Sequence, residues 1–223
     1  WSFHSHPHVR RFSSEGCRPR LPWAMAVPQL KKDPSLIILI LENLKNDPSL
    51  FVRKSVANNL NDIAKDHPRV VTELAKSWKG QSPETDWIIR HGCRGLLKKA
   101  DREAYALFGL NGKAACEISG LKLDKKKLRV GDRLNFSFEL KTTAKKPRRL
   151  RLEYAVYYVK ANGKQSRKIF QLAEKNYSPG VHRFEKQQGF RDLTTRRHHA
   201  GKHKIGIVVN GVEMASRDFM LEE

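Results

Sequence analysis

Glu15-Gly16-Cys17-Arg18-Pro19-Arg20-Leu21-Pro22-Trp23-Ala24 places one carboxylate, two guanidiniums and one indole within nine positions. A carboxylate can stabilise developing positive charge or orient and deprotonate a water, and an indole face can meet a cation. Pro19 and Pro22 lack an amide hydrogen and have a fixed φ, so neither sits inside a helix without breaking it. Helix is therefore expected to end near Cys17, leaving Arg18 to Trp23 as a stiff connection whose side chains are positioned before anything binds. The same residues also read as a proline-rich turn with its arginines in solvent and Trp23 packed down as an anchor.

The elements that must hold this stretch follow from hydrophobic spacing. Leu36, Ile37, Ile40, Leu41 and Leu44 mark one helix face, opened by Asp33-Pro34. Phe51, Val52, Val56, Leu60 and Ile63 mark a second, and Val70, Val71, Leu74, Ala75 and Trp78 a third after Asp66-His67-Pro68. Trp87, Ile88, Ile89, Leu96 and Leu97 predict one last long helix, with Trp87 divided between core packing and a role in the site. Asp or Ser ahead of each proline is expected to cap the helix that follows. A β-branched residue followed by Arg recurs at Arg10, Arg53 and Arg90, at spacings of 43 and 37 residues. That period resembles a HEAT repeat, a helix pair stacked on its neighbours in a curved solenoid.

Beyond Leu110 the helical period stops. Turns are expected at Asn111-Gly112-Lys113, Asn162-Gly163, Ser178-Pro179-Gly180 and Asn210-Gly211. Between them Leu134–Leu140, Leu150–Val159, Ile205–Val209 and Phe219–Leu221 read as strands. The fold class predicted is thus α+β with two domains. An all-α HEAT-like solenoid over 1–110 is followed by an immunoglobulin-like β-sandwich over 114–223.

Composition narrows the partner. The 223 residues carry a net charge of +21, with +8 on 1–113 and +13 on 114–223, so both halves are basic. A charge of this size points to a polyanion, most simply nucleic acid bound through its phosphates. The longest apolar run, Leu36 to Leu41, is too short to span a bilayer. Cys17, Cys93 and Cys116 lie far apart with no CxxC, and the alternating His4, His6 and His8 lack a completing Cys or carboxylate, so no metal site is expected. The chain starts at Trp1 without a signal-like segment and reads as the middle of a larger cytosolic protein. No GxxxxGK, HExxH or GxSxG supports an NTPase, zincin or serine hydrolase.

In this basic helical setting, the Ser14–Ala24 stretch, Ser55-Val56-Ala57-Asn58-Asn59-Leu60-Asn61-Asp62-Ile63 and Thr85-Asp86-Trp87-Ile88-Ile89-Arg90-His91 resemble the AlkC branch of the AlkC/AlkD-type alkylpurine DNA glycosylases. The likeness continues through Tyr158–Lys164 and Phe190–Arg197 and covers nearly the whole chain. Members have further helical repeats before the position of Trp1, and these can supply another acid and part of the DNA groove. The resemblance implies excision of cationic bases, chiefly 3-methyladenine and 3-methylcytosine, without base flipping and without a cofactor. It implies a monomer acting in the cytoplasm on double-stranded DNA that carries alkylated bases. It points to Glu15 and Asp62 as the acids and Trp23 as the aromatic group; Asp62 on its own would read as a surface acid paired with a neighbouring Arg or Lys. Arg18, Arg20, Lys54, Asn58, Asn59, Arg90, Arg94 and Lys98 are the DNA-binding candidates on the helices, and Arg196 and Arg197 on the β-domain. The runner-up is a non-catalytic HEAT-repeat scaffold for nucleic acid, and a third reading is an adaptor for acidic proteins.

Overall fold

The computed structural model describes residues 1–110, 115–194 and 197–223. It divides into two compact units, Trp1–Phe108 and Gly109–Glu223. The turn expected at Asn111-Gly112-Lys113 lies outside the described residues, as does Arg196.

The first unit is helical. Its elements are α1 (Pro7–Glu15), α2 (Pro28–Lys32), α3 (Ser35–Leu44), α4 (Leu50–Ile63), α5 (Pro68–Trp78), α6 (Pro83–Gly92), α7 (Arg94–Lys98) and α8 (Arg102–Leu107). The 14-residue α4 is central, packing against α1 on one side and α6 on the other, with α3 against α1 and α4 and α5 against α4, α6 and α8. The apolar stripes account for this. Ile37, Leu41 and Leu44 of α3, Val52, Val56, Leu60 and Ile63 of α4, and Val71, Ala75 and Trp78 of α5 are all buried. Full burial of each large aliphatic side chain contributes about 1.5–3 kcal/mol before its entropy cost. Trp78 also satisfies its indole by donating Nε1–H to Glu42 Oε1 at 2.6 Å.

Three local expectations need correction. Leu36 and Phe51 face solvent, because they sit at the edges of their stripes. The last helix is not continuous: Cys93 takes φ −79° and ψ 3° and separates α6 from α7. Of the Asp-Pro and Ser-Pro starts, Ser82 caps its helix by accepting from the Thr85 amide at 3.0 Å. Asp33 and Asp47 accept instead from the amides two residues on, Ser35 and Ser49, at 2.9 and 2.8 Å, shaping the turn that precedes the helix.

The second unit is a β-sandwich. Its strands are β1 (Cys116–Leu123), β2 (Lys127–Arg129), β3 (Arg133–Thr142), β4 (Arg148–Val159), β5 (Gln165–Tyr177), β6 (Gly180–Gly189), β7 (Gly201–Val209) and β8 (Val212–Glu222). One sheet runs β1-β3-β6 and the other β2-β8-β7-β4-β5, all pairs antiparallel except β2 with β8. Alternate residues fill the space between the sheets, notably Leu134, Phe136, Phe138 and Leu140 from β3 and Ile205, Ile207 and Val209 from β7.

Candidate active site and nucleic-acid surface

Helix α1 ends where the prolines require. The Gly16 amide closes the last turn on the Phe12 carbonyl at 2.9 Å, and Pro19 prevents continuation. The chain then forms a loop pinned at both ends, with the Val27 amide donating to the Pro19 carbonyl at 3.1 Å. At its tip Trp23 adopts φ 64°, a left-handed conformation unusual for a bulky residue, and its side chain stands fully in solvent beside the exposed Met25. Trp23 is therefore not a packed anchor.

One face of α4 supplies the other half of the site. Ser55, Asn59 and Asp62 follow the i, i+4, i+7 spacing and are all buried toward α1 and its loop. Ser14 Oγ donates to Ser55 Oγ at 2.7 Å, and Asn59 Nδ2 donates to the Ser14 carbonyl at 2.9 Å. Asp62, only 2 % exposed, accepts at Oδ2 from Arg18 Nε at 2.9 Å, with Nη2 in ion-pair contact at 2.8 Å, and at Oδ1 from Lys65 at 2.9 Å. Arg18 Nη1 donates to Glu15 Oε1 at 2.6 Å, and Arg11 lies 3.4 Å from Glu15 Oε2. The Glu15 side chain retains 23 % exposure. Burial alone would lower the Arg18 pKa, but its bonds to Glu15 and Asp62 outweigh burial and raise it. Glu15 and Asp62 thus meet on one guanidinium, 3 and 44 residues from it in sequence. Trp23 shares their loop but points into solvent.

Two DNA-binding expectations change here. Arg18 is 8 % exposed and engaged by two carboxylates, and Asn59 is fully buried as a fastener between α1 and α4. Neither is a surface group. Arg20 makes a bidentate pair with Asp66, at 2.7 and 2.9 Å, and holds that carboxyl below its usual range. Arg90 lies half-buried with its guanidinium 4.6 Å over the Phe108 ring. Arg10 and Arg53, at the equivalent repeat positions, bind the 47–48 turn: Arg10 through the Asp47 carboxylate at 2.6 Å and Arg53 through the Asp47 and Pro48 carbonyls at 3.0 and 2.8 Å.

The other face of α4 opens toward α6 and α7. Arg94 donates to Asn58 Oδ1 at 2.8 Å and to the His91 carbonyl at 2.7 Å, so its guanidinium is matched to neutral oxygens. Burial pushes its pKa down, Asp62 pulls it up, and Arg18 lowers it again. His91 stacks on Trp87 at 5.0 Å and 10°, which makes Trp87 a half-buried packing partner. Burial, then Arg94 and Lys54, push His91 below its ordinary value. Lys54 and Lys98 are exposed. A half-buried cation with no carboxylate bonded to it among the described residues, flanked by a second cation and a depressed histidine, is an arrangement suited to a phosphate. Sequence reasoning had no signal for His91 beyond its proximity to Arg90, and missed Lys65, whose i, i+3 spacing from Asp62 was readable. Close helix approach shapes this groove. A Cβ on Gly92 would lie 3.0 Å from Leu60 Cβ, and one on Gly95 2.8 Å from Asn61 Oδ1.

In the second unit, the exposed Arg197 sits on a loop tied down by its neighbours. The His198 amide donates to Asp192 Oδ1 at 2.8 Å, and its ring packs 5.4 Å from both Tyr158 and Phe190. No group of three metal-ligating side chains occurs among the described residues, His4, His6 and His8 included, and no described helix is long and apolar enough to cross a membrane. Cys17, Cys93 and Cys116 are free thiols; burial pushes Cys93 up to about 12.

Comparison with known proteins agrees with this layout. Residues 117–223 match the family model described as uncharacterised protein YhaZ, C-terminal Ig-like domain. The uncharacterized protein YhaZ of Bacillus subtilis is 45 % identical over 222 residues, covering 99 % of this chain and 62 % of that protein. The solved structure of Pseudomonas fluorescens alkylpurine DNA glycosylase AlkC, bound to DNA containing an abasic site analog, is 42 % identical with a TM-score of 0.96, covering all of this chain and 62 % of that one. The chain therefore spans about three-fifths of the length of each relative. Over its whole length the chain is thus similar in sequence and fold to AlkC and to YhaZ, and its second unit matches a C-terminal immunoglobulin-like domain.

Proposed function

We propose that the protein is a monofunctional DNA glycosylase that hydrolyses the N-glycosidic bond of cationic alkylated bases, chiefly 3-methyladenine and 3-methylcytosine, as a monomer in the cytoplasm. The observation that supports this reading is that Glu15 and Asp62 meet on one guanidinium, just ahead of the loop that carries the exposed Trp23, in a chain that shares its fold with AlkC. An N3-alkylated base is already a good leaving group, so little acid catalysis is needed. The C1′–N bond breaks with its electron pair going to the base, which departs neutral. The sugar is left with oxocarbenium character. Glu15, the more accessible acid, stabilises that charge and orients the water whose oxygen bonds to C1′; the carboxylate or solvent takes the released proton. Asp62 adds negative potential from behind. The Trp23 face meets the cationic nucleotide or the deoxyribose edge, which requires no pocket and so no base flipping. Arg94, Lys54, Asn58 and Lys98 bind the backbone, while Arg196 and Arg197 extend the contact from the β-sandwich.

The test is release of free 3-methyladenine from alkylated duplex. Release, with an abasic site left behind, is expected. Tight duplex binding with no release would overturn the reading in favour of a non-catalytic scaffold.

A further inference from the structure

We infer that Arg18 is a positioning residue, fixing Glu15 and Asp62 in one orientation for excision, and not a contact to DNA. This rests on the glycosylase reading above. Nε donates to Asp62 Oδ2, with Nη2 in ion-pair contact with the same oxygen at 2.8 Å, and Nη1 donates to Glu15 Oε1, so every nitrogen of the guanidinium faces a carboxylate. The side chain is 9 % exposed, leaving no face for a phosphate. The outer oxygens are held as well, Asp62 Oδ1 by Lys65 and Glu15 Oε2 by Arg11. Four cationic groups thus surround the pair when Arg94, which senses both Asp62 and Arg18, is included. Among the described residues, only Arg18 touches both acids. Its position is itself rigid, one residue before Pro19 in a loop closed by the Val27 amide.

The chemistry requires this residue type. A planar guanidinium fork can hold two carboxylates in fixed directions, whereas an ammonium is a single point charge. Two acids brought together repel, and without a cation between them each would turn away or take up a proton. With Arg18 in place, Glu15 is anchored firmly at Oε1 and more loosely at Oε2, while its side chain stays partly exposed. That provides the pre-set geometry electrostatic catalysis depends on.

The experiment is a double-mutant cycle on the protein, with Arg18→Gln, Asp62→Asn and the double variant. Each is measured for single-turnover release of 3-methyladenine and for duplex affinity across a salt series. Arg18→Gln should slow release on the order of a hundredfold, the cost of a small misplacement, while affinity and salt slope stay within about twofold of wild type. In the Asp62→Asn background the same change should cost several-fold less than in the wild type, because one of the two acids it orients is already lost and Glu15 alone is left to misplace. The double variant also removes a buried charge from each side, so it folds even where Arg18→Gln alone does not. Arg18→Lys should recover part of the rate but not all of it. Fully additive losses, a shallower salt slope in Arg18→Gln, or wild-type rates in Arg18→Lys would each overturn the proposal alone. An inactive wild-type protein would overturn the glycosylase reading, and this proposal with it.

Discussion

Each unit contains an arginine bridging two carboxylates, and the two triads differ in what surrounds them. In the β-sandwich, Arg151 reaches Glu153 at 2.6 Å and Glu174 at 3.0 Å, with side-chain exposures of 3, 1 and 4 %. These residues lie on the adjacent strands β4 and β5, paired through Arg151 opposite Glu174, with a register shift between Leu152 and Glu153. In the helical unit, Arg18 reaches Glu15 and Asp62 at similar distances, but from a proline-bounded loop, with Glu15 partly open. A buried ion triad is therefore no sign of an active site by itself. The sealed one can only hold strands together. The open one leaves a carboxylate partly exposed ahead of a loop whose Trp23 stands in solvent.

The largest effect expected breaks the comparison on the sealed side. Arg151→Gln removes the buried cation between Glu153 and Glu174, although Glu174 keeps Arg149 at 3.0 Å, and should cost about 3 kcal/mol of stability, read as a shift in the urea midpoint. Excision per folded molecule should be unchanged. A stable variant with impaired excision would mean that the sealed triad is functional after all. On the open side, Glu15→Gln and Asp62→Asn should each slow single-turnover excision roughly a hundredfold or more. Duplex affinity should hold or rise slightly, since a negative charge near phosphates is lost. Wild-type rates in both would move the catalytic acid elsewhere.

The smallest effect concerns two histidines with the same sealed-against-open contrast. His91 lines the groove, whereas His203 is fully buried, its Nε2 3.0 Å from the His199 carbonyl. Burial lowers His203 from the ordinary value of 6.5, with the His199 carbonyl opposing. The unfolded chain thus binds a proton more readily than the fold. Stability from His203 is complete above about pH 6.5 and is lost as pH falls below it. His203→Phe, which suits neighbours Phe190, Tyr158 and Phe219, should flatten the fall of the thermal midpoint between about pH 7.5 and 5.5 by a few degrees. An unchanged slope would show that other groups set the pH response.

Much of this was legible in the residues, for identifiable reasons. The apolar stripes of α3, α4 and α5 were readable because burial on one face imposes a 3.6-residue period. β3, β4 and β7 were readable because one or both faces are packed. Strands β5 and β6 were not, since their burial pattern is nearly all exposed or intermediate and mixed polar residues leave no period of two. At the site, Glu15, Trp23 and the proline stops were visible locally. That Arg18 would turn inward was not, because its partner Asp62 is 44 residues away and no local pattern distinguishes a phosphate-binding arginine from one clamped between acids.

Gly92 and Gly95 touch no proposed substrate, yet they set a gauge. With 3.0 Å to Leu60 and 2.8 Å to Asn61 for any added methyl, α4 has no slack against α6 and α7. Across the same gap Arg94 hooks onto Asn58 at 2.8 Å. Widening the gap by the width of a methyl would pull Asn58 away from Arg94 and shift the guanidinium that this bond holds in place. Selection on these two glycines would then be metrological: what they preserve is a distance.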